Sequence, residues 1–135
     1  MPNTDRARFL PILVEGNRRW AEKAPLVGFI LAKRKFAKDD RPNRHHGFDA
    51  GAAWMSMTLQ ARLLGLYTHG MAGFHEEMVY DTLGVPKEEY EAMAAFVVGR
   101  KDAPEKLPED LRKRESPSGR KPLSAVAVEG DFPGE

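Results

Sequence analysis

Residues 50–64 form one apolar block with a single charge, Arg62, set among Ala50, Ala52, Ala53, Trp54, Met55, Met57, Leu59, Ala61, Leu63 and Leu64. Its length and composition predict a helix, and a helix that is apolar around most of its circumference has to be covered around most of it. A chain of 135 residues encloses such a helix poorly by itself. The block therefore predicts a second copy of the chain packed against it. Gly65, Gly70 and Gly73 follow at the helix end, where glycine permits positive φ or close backbone approach. A dimer helix that delivers bare backbone amides suits a flat ligand with a polar edge.

Length predicts one domain. Lys and Arg number 21 against 20 Asp and Glu, a net charge of +1, so no overall field favours nucleic acid. The absence of cysteine removes disulfides, thiolate metal sites and cysteine nucleophiles. The opening MPNTDRARFLPILVEGNRRW is charged too early for a signal peptide. The central apolar run is too short to cross a bilayer. A cytoplasmic protein without membrane contact is expected.

Along the chain, Phe9, Leu10, Ile12 and Leu13 give one face of a first helix, with Pro11 near its first turn. Leu26 to Ala32 is a continuous apolar run, expected as a strand buried on both faces. KRKFAKDDRPNRHH (33–46) reads as a surface excursion or lid, and Asp49 as the N-cap of the central helix. Glu76 to Leu83 form a short helix stopped by Gly84, PKEEYEAM opens a further helical turn at Pro86, and Ala94 to Val98 form a second strand. Residues 101–122 hold four prolines and read as an extended arm, with Ser124 to Val128 as a weak edge strand. Helices alternating with strands predict a layered α+β or α/β arrangement.

The usual catalytic constellations are missing. His45 and His46 are adjacent, which prevents easy convergence on one metal, while His69 and His75 flank the glycine turn. No metal site is expected. The carboxylate pairs lie in polar surroundings that raise no carboxyl pKa. Ser56 sits in the apolar helix, where its hydroxyl can bond back to the preceding turn. No nucleophile-elbow pattern occurs. What remains is the turn Gly70-Met71-Ala72-Gly73, and Arg120-Lys121 after Pro117-Ser118-Gly119, where a guanidinium can fork onto a phosphate.

Taken in order, these segments resemble the nitroreductase family of flavin enzymes. Asn17-Arg18-Arg19-Trp20, Ala24-Pro25 and the strand LVGFILA are similar to its N-x-x-W…A-P-strand segment. Asp49-Ala50-Gly51-Ala52-Ala53 and Leu64-Gly65-Leu66 match the two ends of its central dimer helix. Gly70-Met71-Ala72-Gly73-Phe74 matches its flavin-facing turn, Leu83-Gly84-Val85-Pro86 its L-G-[IV]-P connection, Phe96-Val97-Val98-Gly99 its strand end, and Arg120-Lys121-Pro122-Leu123 its terminal R-K-P-L. The similarity runs from about Leu10 to Val128.

The family's opening R-x-S-x-R pattern and the proline-serine-asparagine segment after it have no counterpart; only Asp5-Arg6-Ala7-Arg8 precedes the first matched helix. The resemblance therefore implies an α+β, three-layer sheet-and-helix fold corresponding to the C-terminal two-thirds of the family. Residues 1–135 would make a single domain, truncated at the N-terminus, that lacks the flavin-phosphate segment and is dimeric.

It further implies a flavoprotein oxidoreductase with FMN at the homodimer interface. Ala72 and Gly73 would present N–H groups to the flavin, Gly70 and Met71 would line the ring, and Arg120 would hold the phosphate. Electrons would pass from NADH or NADPH to a nitroaromatic or quinone-like acceptor, with no catalytic side chain required. The alternative is a non-catalytic dimeric remnant, or one half of a split nitroreductase that needs a second polypeptide to bind flavin.

Overall fold

The computed structural model describes residues 4–131 and divides into two units, residues 1–101 and 102–135. The first unit carries, in order, α1 (Thr4–Phe9), a 3-10 turn (Leu10–Ile12), α2 (Glu15–Ala21), β1 (Leu26–Lys33), α3 (His46–Leu63), β2 (Tyr67–Met71), α4 (Glu76–Leu83) and β3 (Tyr90–Gly99). The three strands form one antiparallel sheet in the order β1-β3-β2. A register shift between Ile30 and Leu31 kinks β1 against β3.

Alternation along the strands sends side chains to two layers. Val27, Met71, Ala95 and Val97 point to one face and bury with Leu13 and Ala21; Ile12, Val79, Tyr80 and Ala92 extend that core under α4. The opposite face carries α3, so the sheet lies between two helical layers, an α+β fold. On that face Gly28, Phe96 and Gly70 stand in one cross-strand row, because both glycines pair with Phe96. The Phe96 ring covers Gly28, where an added Cβ would lie 2.5 Å from it, and the Trp54 ring of α3 packs against Phe96 at 5.8 Å.

Several local expectations are corrected. The first apolar stretch is two helices, not one. Leu13 leaves helical geometry to bridge Phe74, because the chain there completes a backbone pairing with the β2–α4 turn. β1 runs one residue beyond Ala32, and it is half-buried along most of its length instead of buried on both faces. The central helix starts at His46 and places Asp49 inside its first turn. The Asn43 side chain accepts from the His45 N–H at 3.0 Å and sets the entry, in place of an Asp49 cap. PKEEYEAM makes one turn and then enters β3 at Tyr90, and this strand is longer than the run Ala94–Val98. Gly84 ends α4 in the left-handed region at φ 67°, as expected of a glycine there.

The second unit holds a 3-10 turn (Pro104–Lys106), α5 (Glu109–Arg112) and another 3-10 turn at Leu123–Ala125. That last turn replaces the expected edge strand at Ser124–Val128. Lys106–Asp102 and Lys113–Glu109 ion pairs, each four residues apart, hold the short helical turns.

Candidate functional site

The segment Gly70–Gly73 is divided between a strand and a turn. The turn that ends α3 lies earlier, at Gly65, whose φ is +73°. Gly70 and Met71 belong to β2 and pair with Phe96 and Ala95; Ala72 and Gly73 follow the strand. Met71 is buried in the core, which fixes the strand end. A Cβ on Gly70 would reach Trp54 at 3.2 Å. Glycine there lets the α3 indole approach the sheet, so Gly70 has a packing reason of its own.

Gly73 is held from the N-terminal side. Its carbonyl accepts the Val14 N–H at 3.2 Å and the Asn17 Nδ2–H at 3.0 Å. A Cβ at this position would lie 2.6 Å from Asn17 Nδ2 and 2.8 Å from Val14 Cγ2, so a side chain here would force Asn17 and Val14 to shift. The His75 N–H donates to the Ile12 carbonyl at 2.8 Å, which closes the other side. Among the described residues, neither the Ala72 nor the Gly73 N–H donates a hydrogen bond outside the sheet ladder. The arrangement is a backbone edge whose carbonyl is pinned, leaving amides able to meet a polar ring edge.

Asn17 is the residue whose role the sequence did not disclose. It sits in α2, 56 positions from its partner in the chain, and no local pattern signals such a contact. Trp20, one helical turn later, meets His69 edge-on at 4.7 Å and so ties α2 to β2 as well. Arg120 lies in the second unit, where its Nη1 donates to Ser118 Oγ at 2.8 Å and to the Ser118 carbonyl at 2.9 Å.

The central helix has two apolar faces. At 100° per residue, Ala50, Trp54, Thr58 and Ala61 share the face turned to the sheet, where the Thr58 and Thr68 hydroxyls meet at 3.0 Å. Phe48, Met55, Leu59 and Leu63 recur at steps of seven, four and four residues on the opposite face, and are 78%, 53%, 59% and 82% exposed. Ser56 Oγ donates to the Ala52 carbonyl at 2.9 Å, as expected. Trp54 packs against the sheet, whereas Phe48 lies on the open face and contributes nothing to the core of its own chain.

At the start of α3, His46 joins the 33–46 excursion to the sheet. Its Nδ1 lies 2.6 Å from the Asn43 carbonyl and its Nε2 lies 2.9 Å from Glu91 Oε2, which also receives Arg34 Nη1 at 2.9 Å. Both ring nitrogens face acceptors, so the imidazolium, with two donors, fits best. The hydrogen bond to Glu91, then that to the Asn43 carbonyl, raises the His46 pKa above its ordinary 6.5. The hydrogen bond from His46, aided by Arg34 and opposed by burial, lowers Glu91 below 4.5.

The sign of the linkage follows. The His46 contribution is complete below 6.5 and disappears as pH rises through the raised folded value; the Glu91 contribution is present above 4.5 and disappears as pH falls through the lowered one. Urea titrations across pH are therefore expected to show the largest stability difference between the native chain and His46→Ala between pH 4.5 and 6.5, shrinking on both sides. A pH-independent difference would remove the imidazolium. Among the described residues no three His, Asp or Glu side chains converge as a metal site, and no helix is long and apolar enough to cross a membrane.

A three-stranded antiparallel sheet between helical layers, with a bare backbone edge after β2 and an uncovered apolar helix face, defines an α+β protein. The nitroreductase family profile matches residues 2–100. A solved oxidoreductase containing FMN is 36% identical, with a TM-score of 0.91, over 99% of this chain and 69% of that one. A nitroreductase family protein of Streptococcus pneumoniae aligns at 15% identity and TM-score 0.68, over 93% of this chain and 74% of its own. A Desulfovibrio desulfuricans protein solved in complex with FMN aligns at 18% identity and TM-score 0.64, over 98% and 69%. No curated protein matches. The chain belongs to the nitroreductase family.

Proposed function

We propose that the chain is an FMN-dependent oxidoreductase of the cytoplasm that acts as a homodimer, takes electrons from NADH or NADPH and passes them to nitroaromatic or quinone-like acceptors. One observation carries this reading: the backbone edge at Ala72 and Gly73, whose amides have no acceptor outside the ladder and whose carbonyl is pinned by Asn17. A flat ring edge needs donors without a competing acceptor and without a side chain in front of them. Glycine at 70 and 73 meets the second need, and the free amides meet the first. FMN, when bound, supplies the two-electron chemistry.

Gly70 and Met71 line the ring, and the Ala72 and Gly73 N–H groups meet its polar edge and favour negative charge gathering there. Arg120, whose guanidinium meets Ser118, is the candidate phosphate contact. The apolar α3 face with Phe48, Met55, Leu59 and Leu63 covers its counterpart on a second copy.

Purified protein is expected to be yellow and to oxidise NADPH when a nitroaromatic or quinone is added. Asn17→Ala, which removes one donor from the Gly73 carbonyl, is expected to cost about 1 kcal/mol of stability and to weaken FMN retention roughly tenfold. A colourless protein that fails to quench the fluorescence of added FMN would overturn the assignment.

A further inference from the structure

The charged excursion after β1 is a hairpin that closes on itself. The Phe36 N–H donates to the Arg41 carbonyl at 2.9 Å, the Asp40 N–H to the Phe36 carbonyl at 3.0 Å and the Asn43 N–H to the Arg34 carbonyl at 2.7 Å, while Lys35 pairs with Asp40 at 2.9 Å. So tied, it can move as one piece. Behind it lies a cavity of about 420 Å³, lined by Phe36 and Ala37 of the hairpin, Ala32 of β1 and Ala50 of α3. That volume falls in the range of small-molecule sites.

The two ends of the hairpin are held differently. At Arg34 the N–H donates to the Glu89 carbonyl at 2.8 Å, Nε to the Tyr90 carbonyl at 3.3 Å and Nη1 to Glu91 at 2.9 Å, so this end is fastened to β3 by groups that do not titrate near neutrality. At Asn43 the connection to β3 runs through one ring: His46 Nδ1 lies 2.6 Å from the Asn43 carbonyl and Nε2 lies 2.9 Å from Glu91. A neutral imidazole has one N–H, so one of its nitrogens must then turn a lone pair toward an oxygen at that range. The Glu91 carboxylate is ionised and holds the remaining proton more strongly than a carbonyl does. The Asn43 contact is therefore the one that is lost, while Arg34 keeps its end in place. Around the ring stand Glu91 from β3, Arg34 and the Lys35–Asp40 pair from the hairpin, and Asp49 from the next turn of α3; the neighbouring His45 turns its Nε2 to Arg44 at 3.2 Å. Glu91 raises the proton affinity of His46, and the Arg34 charge opposes it.

We propose that the 34–43 hairpin is a proton-operated strap over this cavity, held down while the His46 ring donates to both Asn43 and Glu91 and released at its Asn43 end when the ring loses one proton. Arg34 is the hinge. The strap is shut below 6.5 and opens as pH rises through the raised His46 value.

The chain has no cysteine, so a single thiol can report the opening. Ala50→Cys places it on the buried cavity wall, and Ser116→Cys gives an exposed control in the second unit. Both are labelled with a neutral maleimide in the full chain from about pH 5.5 to about pH 9, and the rate at 50 is divided by the rate at 116 to remove the common rise in thiolate. The ratio is expected to increase about tenfold across this range, the size of one lost hydrogen bond, with a midpoint that matches the titration of the His46 ring followed by NMR. Adding Glu91→Gln, which takes away the main support of the ring proton, is expected to move that midpoint to lower pH. Adding His46→Ala is expected to give a high ratio at every pH, with circular dichroism checking the fold. A ratio that stays flat in the Ala50→Cys protein, a midpoint unmoved by Glu91→Gln, or the same rise in a folded His46→Ala protein would overturn the proposal. Neither flavin nor an electron donor enters the measurement, so the redox assignment does not decide this one.

Discussion

Leu59→Arg is expected to turn the protein into a monomer at micromolar concentration and to strip it of FMN. Leu59 lies at the middle of the open α3 face, 59% exposed in the single chain, with Met55 one turn before it and Leu63 one turn after. In a two-fold dimer the substitution enters the interface twice. A guanidinium left unpaired in an apolar contact costs about 3–5 kcal/mol, which weakens association by more than a hundredfold. Because the face does not contribute to the sheet core, the monomer should keep its secondary structure. Sedimentation and far-UV circular dichroism read the two effects separately, and a Leu59→Arg protein that sediments as an intact dimer with flavin would place the interface elsewhere. Ala53→Arg, also solvent-facing, is expected to act in the same direction, and Met57→Glu, half-buried, to unfold more than it dissociates.

Gly28→Val has the largest effect expected within one chain. A Cβ there lies 2.5 Å from Phe96 Cζ and 2.9 Å from Cε1. The ring cannot withdraw freely, because Trp54 packs on it at 5.8 Å. Overpacking of this kind costs about 1–3 kcal/mol, and displacement of two aromatic rings places it at the upper end. The melting temperature is expected to fall by roughly 10 °C or more. The double variant Gly28→Ala with Phe96→Leu should recover much of the loss, since the shorter side chain vacates the space. A Gly28→Val protein that melts with the native chain would mean that Phe96 does not cover the strand.

The elements that the sequence disclosed are those carried by local rules. The α3 helix follows from composition, α4 from its acidic start and the Gly84 stop, and β1 from its apolar run. The elements that were hidden depend on partners far along the chain. Tyr67-Thr-His-Gly-Met has no apolar alternation, and it is a strand because β3 supplies its ladder. Leu13 breaks a helical face because Phe74 lies beside it. The Gly70–Gly73 segment stood out by its glycines, yet half of its meaning is packing. Gly70 admits Trp54, and Gly73 fits between Val14 and Asn17. Asn17 was quoted only as one letter of a motif, since a side-chain contact 56 residues away leaves no periodic trace.

The strand order has a consequence for synthesis. β1 and β2 each pair only with β3, which is the last of the three to leave the ribosome. Until residues 90–99 emerge, the nascent chain carries two strands whose ladder partner does not yet exist and a helix with an uncovered apolar face. Domains that fold during translation usually gain structure from the N-terminal side. Here the sheet can close only after residues 90–99 have been made. Overproduction should then favour inclusion bodies, and slower elongation or a chaperone that shields exposed strands should raise the yield.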